Sequence, residues 1–253
     1  LGHSHPALVQ AMCEQGKKLI HIPNNLYNVL QPQLAEIIIK NSLGKGKVFF
    51  CNSGTEATEA ALKLMRAYKE GRGTIISMYN SFHGRTLGAL TLTAQRKYQR
   101  GFGRLLPGIK YVRFDDFGDL EEKVDKSTCG IILEVIQGEG GVKVCSHEYL
   151  QKVRRLCDRR QIILVFDEVQ TGMGRTGYMF AYQAYGVKPD IICLAKGLGG
   201  GFPIGALVVH EKLKGILQRG MHASTFGGSP LACAVSLKVF ELFMKTFVRK
   251  DSV

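Results

Sequence analysis

The sequence predicts an α/β protein: a doubly wound, mostly parallel seven-stranded sheet with flanking helices. Three observations predict it. Short apolar runs rich in Ile, Leu and Val recur between polar or glycine-rich segments, the pattern of strands buried on both faces. Segments with apolar residues at helical spacing alternate with them. Two of the runs also end on a single ionisable side chain, Ile162 to Asp167 and Asp190 to Lys196. Ligands of open α/β sheets bind beyond the carboxyl ends of the strands. Asp167 and Lys196 are therefore expected at one rim, a carboxylate and an amine at the mouth of a cleft.

Taken in order, Pro6 to Ile20 reads as a helix with Pro6 in its first turn and Leu8, Val9, Met12 and Leu19 inward. Pro32 opens a second helix to about Asn41. Val48 to Cys51 is a strand, followed at once by Asn52-Ser-Gly-Thr55 and a strong helix to about Lys69. Such a strand–turn–helix unit offers backbone N–H groups and a positive helix end to a phosphate. Ser53-x-x-Glu56 is also a capping box, which accounts for the same turn without any ligand. Strands follow at Thr74 to Met78, Ile109 to Phe114 and Gly130 to Glu134, with a helix from Ser146 to Arg160. The opening strand, then Asp190 to Ala195 and Gly205 to His210, complete the set, and a last helix starts at Pro230.

Composition narrows the function classes. The chain has 253 residues, 45% of them hydrophobic, enough for one large domain with its own core. No apolar run approaches the ~18–20 residues of a membrane helix, and no signal peptide opens the chain. The net charge of +13 is spread over dispersed Lys and Arg without interleaved aromatic residues. A solvated basic surface, or a preference for anionic small molecules, fits this better than nucleic-acid binding. The seven Cys include no C-x-x-C pair and read as free thiols in a reducing compartment. His3 and His5 have no acidic or thiol partner at ligand spacing, so no metal site is expected. Leu1 to Pro6 has mid-domain turn chemistry and Val248 to Val253 trails off a helix without a cap, so a fragment of a longer chain is expected.

Several loops add chemistry at the rim. Ser81-Phe-His-Gly-Arg85 offers Phe82 as a face for a planar ligand or as a core anchor. Val135-Ile-Gln-Gly-Glu-Gly-Gly141 puts Glu139 near the same edge, and Ser224-Thr-Phe-Gly-Gly228 supplies hydroxyls. Gly172-Met-Gly-Arg-Thr-Gly177 is a G-x-G-x-x-G. However, Asp167 to Gln170 separates it from its strand and would set carboxylates beside a pyrophosphate, which disfavours a dinucleotide. Lys196 precedes a glycine-rich stretch that lets a ligand approach closely. A lysine amine desolvated in such a cleft becomes a nucleophile toward carbonyls. A phosphate cradle, an aromatic face, a carboxylate, an amide and an amine together suit a flat phosphorylated aldehyde with a basic ring nitrogen, pyridoxal phosphate.

The motifs Phe50-Cys-Asn-Ser-Gly-Thr-Glu-Ala57, Phe82-His-Gly-Arg-Thr86, Asp167 to Gly177, Ala195-Lys-Gly197 and Ser224 to Gly228 span essentially the whole chain. Together they resemble the class III, fold-type-I pyridoxal-phosphate aminotransferases, most of all the acetylornithine/ornithine branch. The resemblance implies that Ser53, Gly54 and Thr55 hold the cofactor phosphate and that Phe82 and Val169 sandwich its ring. It implies that Asp167 keeps the ring nitrogen protonated, with Glu168 beside it, and that Gln170 bonds the phenolic oxygen. Lys196 forms the Schiff base and then moves the proton. Arg85, Ser224 and Tyr27 contact substrate, and Glu139 stands where the family has its gate residue. Thr225 reaches the phosphate of a partner subunit, which implies a homodimer with shared sites.

The same resemblance implies residues 1–45 as an N-terminal helical segment truncated at its start and 46–253 as the cofactor-binding large domain. The family's C-terminal small domain, with the arginine that grips the substrate α-carboxylate, is missing. Val135 stands where the family often has Pro, and Ser229 where Asn is common. The implied reaction moves the amino group of N-acetylornithine, or a similar ω-amine, to 2-oxoglutarate, giving an aldehyde and glutamate. Transamination of ornithine or 4-aminobutyrate, or a cofactor-free dimerisation module, are the alternatives. The implied location is the cytoplasm, or a mitochondrial or plastid matrix in a eukaryote.

Overall fold

The computed structural model describes residues 1–248, with side chains to residue 245. The uncapped tail expected at Val248 to Val253 lies, beyond Val248, outside the described residues. Helix α1 (Pro6–Gly16) begins at His5, whose Nδ1 accepts a hydrogen bond from the Ala7 N–H at 3.3 Å. His5 is thus a cap. The helix ends four residues short of the expected Ile20, because the apolar stripe fails. Leu8 is buried, but Val9, Leu19 and Ile20 are exposed, and the chain turns after Gly16. Helix α2 (Leu30–Asn41) starts two residues before Pro32, which sits in the first turn where its missing N–H costs nothing. Asn28 Oδ1 accepts the Gln31 N–H there at 2.9 Å.

The strands follow the expectation closely: β1 (Gly46–Cys51), β2 (Thr74–Met78), β3 (Ile109–Val112), β4 (Thr128–Leu133), β7 (Ile163–Asp167), β8 (Ile191–Leu194) and β9 (Gly205–His210). Between β4 and β7 the glycine-rich segment forms a small hairpin, β5 (Ile136–Gln137) with β6 (Lys143–Val144), with Glu139 in its turn. The main helices are α3 (Gly54–Tyr68), α7 (His147–Arg160) and α8 (Pro230–Val248). Three short helices, α4 (Leu87–Leu92), α5 (Arg96–Gln99) and α6 (Phe117–Lys123), have too few turns to show periodicity in sequence.

Among the described residues, seven strands form one sheet in the order β1-β9-β8-β7-β4-β2-β3. The expected doubly wound, mostly parallel fold is borne out. β2, β3, β4, β7 and β8 run parallel, and β9 runs antiparallel to both its neighbours. A parallel return needs a crossover of a dozen or more residues, usually with a helix. The link from Leu194 to Gly205 carries only a 3-10 turn at Lys196–Gly199, so β9 comes straight back. Because β9 is antiparallel on both sides, β1 points the same way as β8, and their carboxyl ends share a rim.

Both faces of the sheet are buried, which is why its strands read as unbroken apolar runs. Ile163 and Val165 pack toward Ala57, Ala60, Ala61, Leu64 and Met65 of α3. Leu164 and Phe166 belong to the opposite core with Leu150 and Val153 of α7 and Val235 and Phe240 of α8. Burying each of the Val, Leu, Ile, Phe and Met side chains among them contributes about 1.5–3 kcal/mol. Chain reversal after β3 gives the sheet its switch point, since β3 lies outside β2 while β4 lies on its other side. The cleft opens there, at the carboxyl ends.

Candidate active site

Five strand ends meet at that cleft. β1 delivers Asn52 to Thr55, β2 the Phe82 loop, β4 Glu134, β7 Asp167 to Gln170, and β8 Lys196. Together they line a cavity of about 440 Å³, within the size range of small-molecule sites. Of the residues expected from sequence, it brings together Ser53, Gly54, Thr55, Phe82, Arg85, Glu139, Asp167, Val169, Gln170 and Lys196.

The β1–α3 turn is built by capping. Ser53 accepts the Glu56 N–H, and the Glu56 carboxylate accepts from Ser53 Oγ at 2.7 Å and from the Asn52 N–H at 2.9 Å. The return bond expected at Ser53 falls one residue earlier. Gly54 and Thr55 are the first two helical residues, whose N–H groups have no i−4 acceptor within the helix. A Cβ on Gly54 would come within 2.8 Å of Val169 Cγ1, so only glycine lets the turn close on Val169. The helix terminus thus faces the cavity with an apolar wall beside it.

Asp167 is nearly buried. Its Oδ1 accepts the Val169 N–H at 3.0 Å, and its Oδ2 lies 2.7 Å from Nδ1 of the fully buried His83. Burial opposes a charge on His83, but the hydrogen bond and charge of Asp167, with the charge of Glu134, outweigh it and raise the imidazole above its ordinary value. The other ring nitrogen, Nε2, is buried with no hydrogen-bond partner. Glu134 follows Leu133, which pairs with Phe166, so the register sets it level with Asp167. Burial pushes the Glu134 carboxyl up to about 7, with His83 acting in the opposite direction.

Lys196 has φ 44°, a left-handed conformation that a residue other than glycine rarely adopts. Such strain clusters where a side chain must be aimed. Its Nζ donates to Oε1 of Gln170. Phe82 meets Tyr98 edge-on, and the Arg85 guanidinium lies 3.9 Å over the Tyr98 ring. Arg85 is exposed and sits over both rings at the mouth.

Four expected residues lie elsewhere. Glu168 follows Asp167 by one residue, so strand alternation turns it the other way. Its carboxylate accepts from Thr171 Oγ1 and from the Ala181 and Tyr182 N–H groups inside the core. It caps a turn and does not line the cavity. Ser224 Oγ accepts from Asn52 Nδ2 at 3.2 Å, one shell behind the wall. Thr225 and Tyr27 are exposed on a neighbouring surface, where Asn24 Nδ2 joins the carbonyls of Ser224 and Gly227. Sequence reasoning left His83, Glu134, Asn52 and Phe202 to Ile204 without a role, though all line the cavity. The available signal was a His beside Phe82 and an acid closing a buried strand.

The lining fits pyridoxal phosphate. A glycine-walled helix terminus suits a phosphate, a buried carboxylate held by an imidazole suits a ring N–H, and an aimed amine suits an aldehyde. Among the described residues no group of three His, Cys, Asp or Glu could hold a metal ion. None of the helices there is long and apolar enough to cross a membrane.

Comparison with known proteins gives the same picture. An acetylornithine aminotransferase of Caldanaerobacter subterraneus subsp. tengcongensis is 56% identical over 244 residues, covering 94% of this chain and 62% of that protein. The ornithine aminotransferase of Toxoplasma gondii ME49 superposes with a TM-score of 0.93 at 34% identity, over 97% of this chain and 60% of the other. An amine transaminase from an uncultivated Pseudomonas species, solved in its PLP-bound form, has a TM-score of 0.92 at 28% identity over 97% and 64%. The chain thus spans less than two thirds of the length of these relatives. The family model "Aminotransferase class-III" matches residues 1–252. With the strand order, the Asp167 and Lys196 rim and this match in agreement, the chain belongs to the class-III aminotransferases, whose cofactor is pyridoxal phosphate.

Proposed function

We propose that the protein transfers the amino group of N-acetylornithine, or a similar ω-amine, to 2-oxoglutarate, using pyridoxal phosphate. The observation that carries this is the single cavity in which an aimed lysine, Lys196, stands with Gln170 beside a carboxylate locked to an imidazole. The 56% identity with an acetylornithine aminotransferase supports the choice of donor.

Pyridoxal phosphate supplies, when bound, the aldehyde that receives the amino group and a ring that withdraws electrons from the reacting carbon. The chain supplies the rest. The N–H groups of Gly54 and Thr55, with the Thr55 hydroxyl and Ser53 behind them, bind the phosphate at the helix terminus. That terminus alone contributes about 0.3–2 kcal/mol. Phe82 and Val169 flank the ring. Asp167, fixed by His83 and the Val169 N–H, holds a proton at the ring nitrogen, and Gln170 donates to the phenolic oxygen. Lys196 Nζ would take the proton from the substrate carbon as a general base and deliver it to the cofactor's aldehyde carbon as an acid. Arg85 binds the acylated end of the substrate, Ser224 steadies Asn52 behind the wall, and Glu139 gates the entrance from its hairpin turn.

Thr225 and Tyr27 belong, in this proposal, to a homodimer. The exposed Ile20, Leu26, Tyr27, Val29 and Phe226 lie near them, with the His21 and Phe226 rings 5.0 Å apart. An apolar surface of that kind suits a second copy of the chain, whose site Thr225 would complete. Residues 46–253 then form the cofactor-binding domain, 1–45 a helical segment laid against it, and the cytoplasm is the expected location. Competition among N-acetylornithine, ornithine and 4-aminobutyrate, with 2-oxoglutarate as acceptor, tests the donor in the full-length protein. A preference for ornithine, toward which the Toxoplasma structure points, would replace the first choice.

A further inference from the structure

Glu134 has a place in the site that the roles above do not use. It is buried at the carboxyl end of β4, and its side chain belongs to the cavity wall. A buried carboxylate without a basic partner is costly, and such groups persist only where hydrogen bonds or neighbouring charges compensate. Glu134 has both. Its Oε2 accepts the Phe82 N–H at 3.2 Å, and the Gly138 N–H favours its ionised form. The charges that act on it are those of His83 and Asp167, and Cys145 packs beside its backbone, with Sγ 3.9 Å from the Glu134 carbonyl.

These two N–H groups belong to different loops with different tasks. Phe82 is the aromatic wall. Gly138 abuts Gln170 so closely that a Cβ there would lie 2.9 Å from Gln170 Nε2 and 3.0 Å from Cγ. Gln170 in turn receives the Lys196 amine. One carboxylate therefore ties the ring-facing loop to the stack Gly138–Gln170–Lys196, with the His83–Asp167 pair between them.

We propose that Glu134 is a positioning residue: by accepting from the Phe82 N–H, with the Gly138 N–H drawn toward the same carboxylate, it sets the spacing between the aromatic wall and the Gln170–Lys196 pair. This rests on the cofactor assignment made above. When Glu134 is ionised its hydrogen bond from Phe82 is charge-assisted and stronger and its pull on the Gly138 N–H is greater, and its charge favours a cationic ring beside Asp167. When it is protonated the two loops are held less firmly. Because burial lifts this carboxyl into the neutral range, the change falls where binding can be measured.

The probe is pyridoxamine 5′-phosphate, which needs no covalent bond to Lys196. Its affinity is read by fluorescence titration from about pH 6 to about pH 8.5 in the full-length protein, Glu134→Gln and Glu134→Asp. Wild-type affinity is expected to rise as pH increases through about 7. Glu134→Gln, whose amide keeps one accepting oxygen but has no charge and no second acceptor, is expected to bind about tenfold more weakly and with no rise over that window. Glu134→Asp keeps the charge on a shorter arm and is expected to bind weakly yet retain the rise. In steady state both variants are expected to lose kcat more than KM. A rise that persists in Glu134→Gln belongs to His83 and overturns the proposal, as does wild-type affinity in both variants. Absence of pyridoxamine phosphate binding in the wild type at every pH would instead overturn the cofactor assignment.

Discussion

His83 Nδ1 and Asp167 Oδ2 are 2.7 Å apart, with the imidazole fully buried and the carboxylate almost so. The two residues come from different strand ends, after β2 and at the end of β7, and meet only because β4 alone separates those strands. The pair fixes the direction in which Asp167 presents its charge.

Replacing His83 tests that dependence. His83→Leu leaves Asp167 Oδ2 against apolar atoms, and removing one partner of a buried pair costs about 3–5 kcal/mol. We expect kcat/KM to fall about 100-fold, the scale of a misplaced catalytic group. His83→Asn keeps an N–H near the position of Nδ1 and is expected to recover at least part of that loss. Equal activities for the two variants would show that the hydrogen bond is dispensable.

Lys196 is the group on which the cofactor assignment turns. The full-length protein is expected to bind pyridoxal phosphate with a visible absorbance band that Lys196→Ala abolishes. A band that survives in the variant would place the covalent bond elsewhere.

The closeness of Gly54 to Val169 predicts a coupled pair. Gly54→Ala forces a Cβ to within 2.8 Å of Val169 Cγ1 and is expected to destabilise by about 1–3 kcal/mol, as overpacking does. Adding Val169→Ala removes the obstructing methyl groups. The double variant is expected to be more stable than Gly54→Ala in thermal unfolding, and an additive loss would contradict the packing described.

Stability is expected to fall as pH rises across neutrality. Glu134 is lifted from 4.5 to about 7 by burial, and His83 is raised as well. A group whose pKa is raised by folding binds its proton more tightly in the native state. Its contribution is complete below the unfolded value and is lost as pH increases through the folded one. Glu134 therefore costs about 1–3 kcal/mol by pH 8. Thermal unfolding between about pH 5 and pH 8 should show a shallower decline in Glu134→Gln than in the wild type.

Thiol reactivity gives an independent check of the core. The chain has seven Cys, of which Cys13 is exposed and Cys51, Cys129, Cys145, Cys157, Cys193 and Cys233 are buried. Burial raises Cys51 and Cys157 to about 12, far from the thiolate form that reacts. One rapid labelling event is expected in the native protein, and the remainder only on unfolding.

The strands were legible because a sheet covered on both faces needs apolar side chains at every position, and Ile163 to Phe166 supply them. The rim was legible for the same reason, since a charge closing such a run can only stand at its end. Asp167 and Lys196 were read in that way and line one cavity. Glu168 was read too generously. Strand alternation alone turns it away from Asp167, and its core bonds to Ala181 and Tyr182 follow from that. Helix α1 was read too long because apolar residues at helical spacing do not reveal that Val9 and Leu19 remain in solvent.

The sequence by itself determined the sheet, the capped turn at Ser53 and the identity of the reactive rim, because each depends on residues close together in the chain. Tertiary structure decided which distant groups surround that rim. The partner of Asp167 is 84 residues away, and Glu134 reaches the Phe82 N–H only because β4 lies beside β2. Strand order sets those neighbours through long-range packing, and a lone His or a strand-end Glu carries no local pattern from which it can be read.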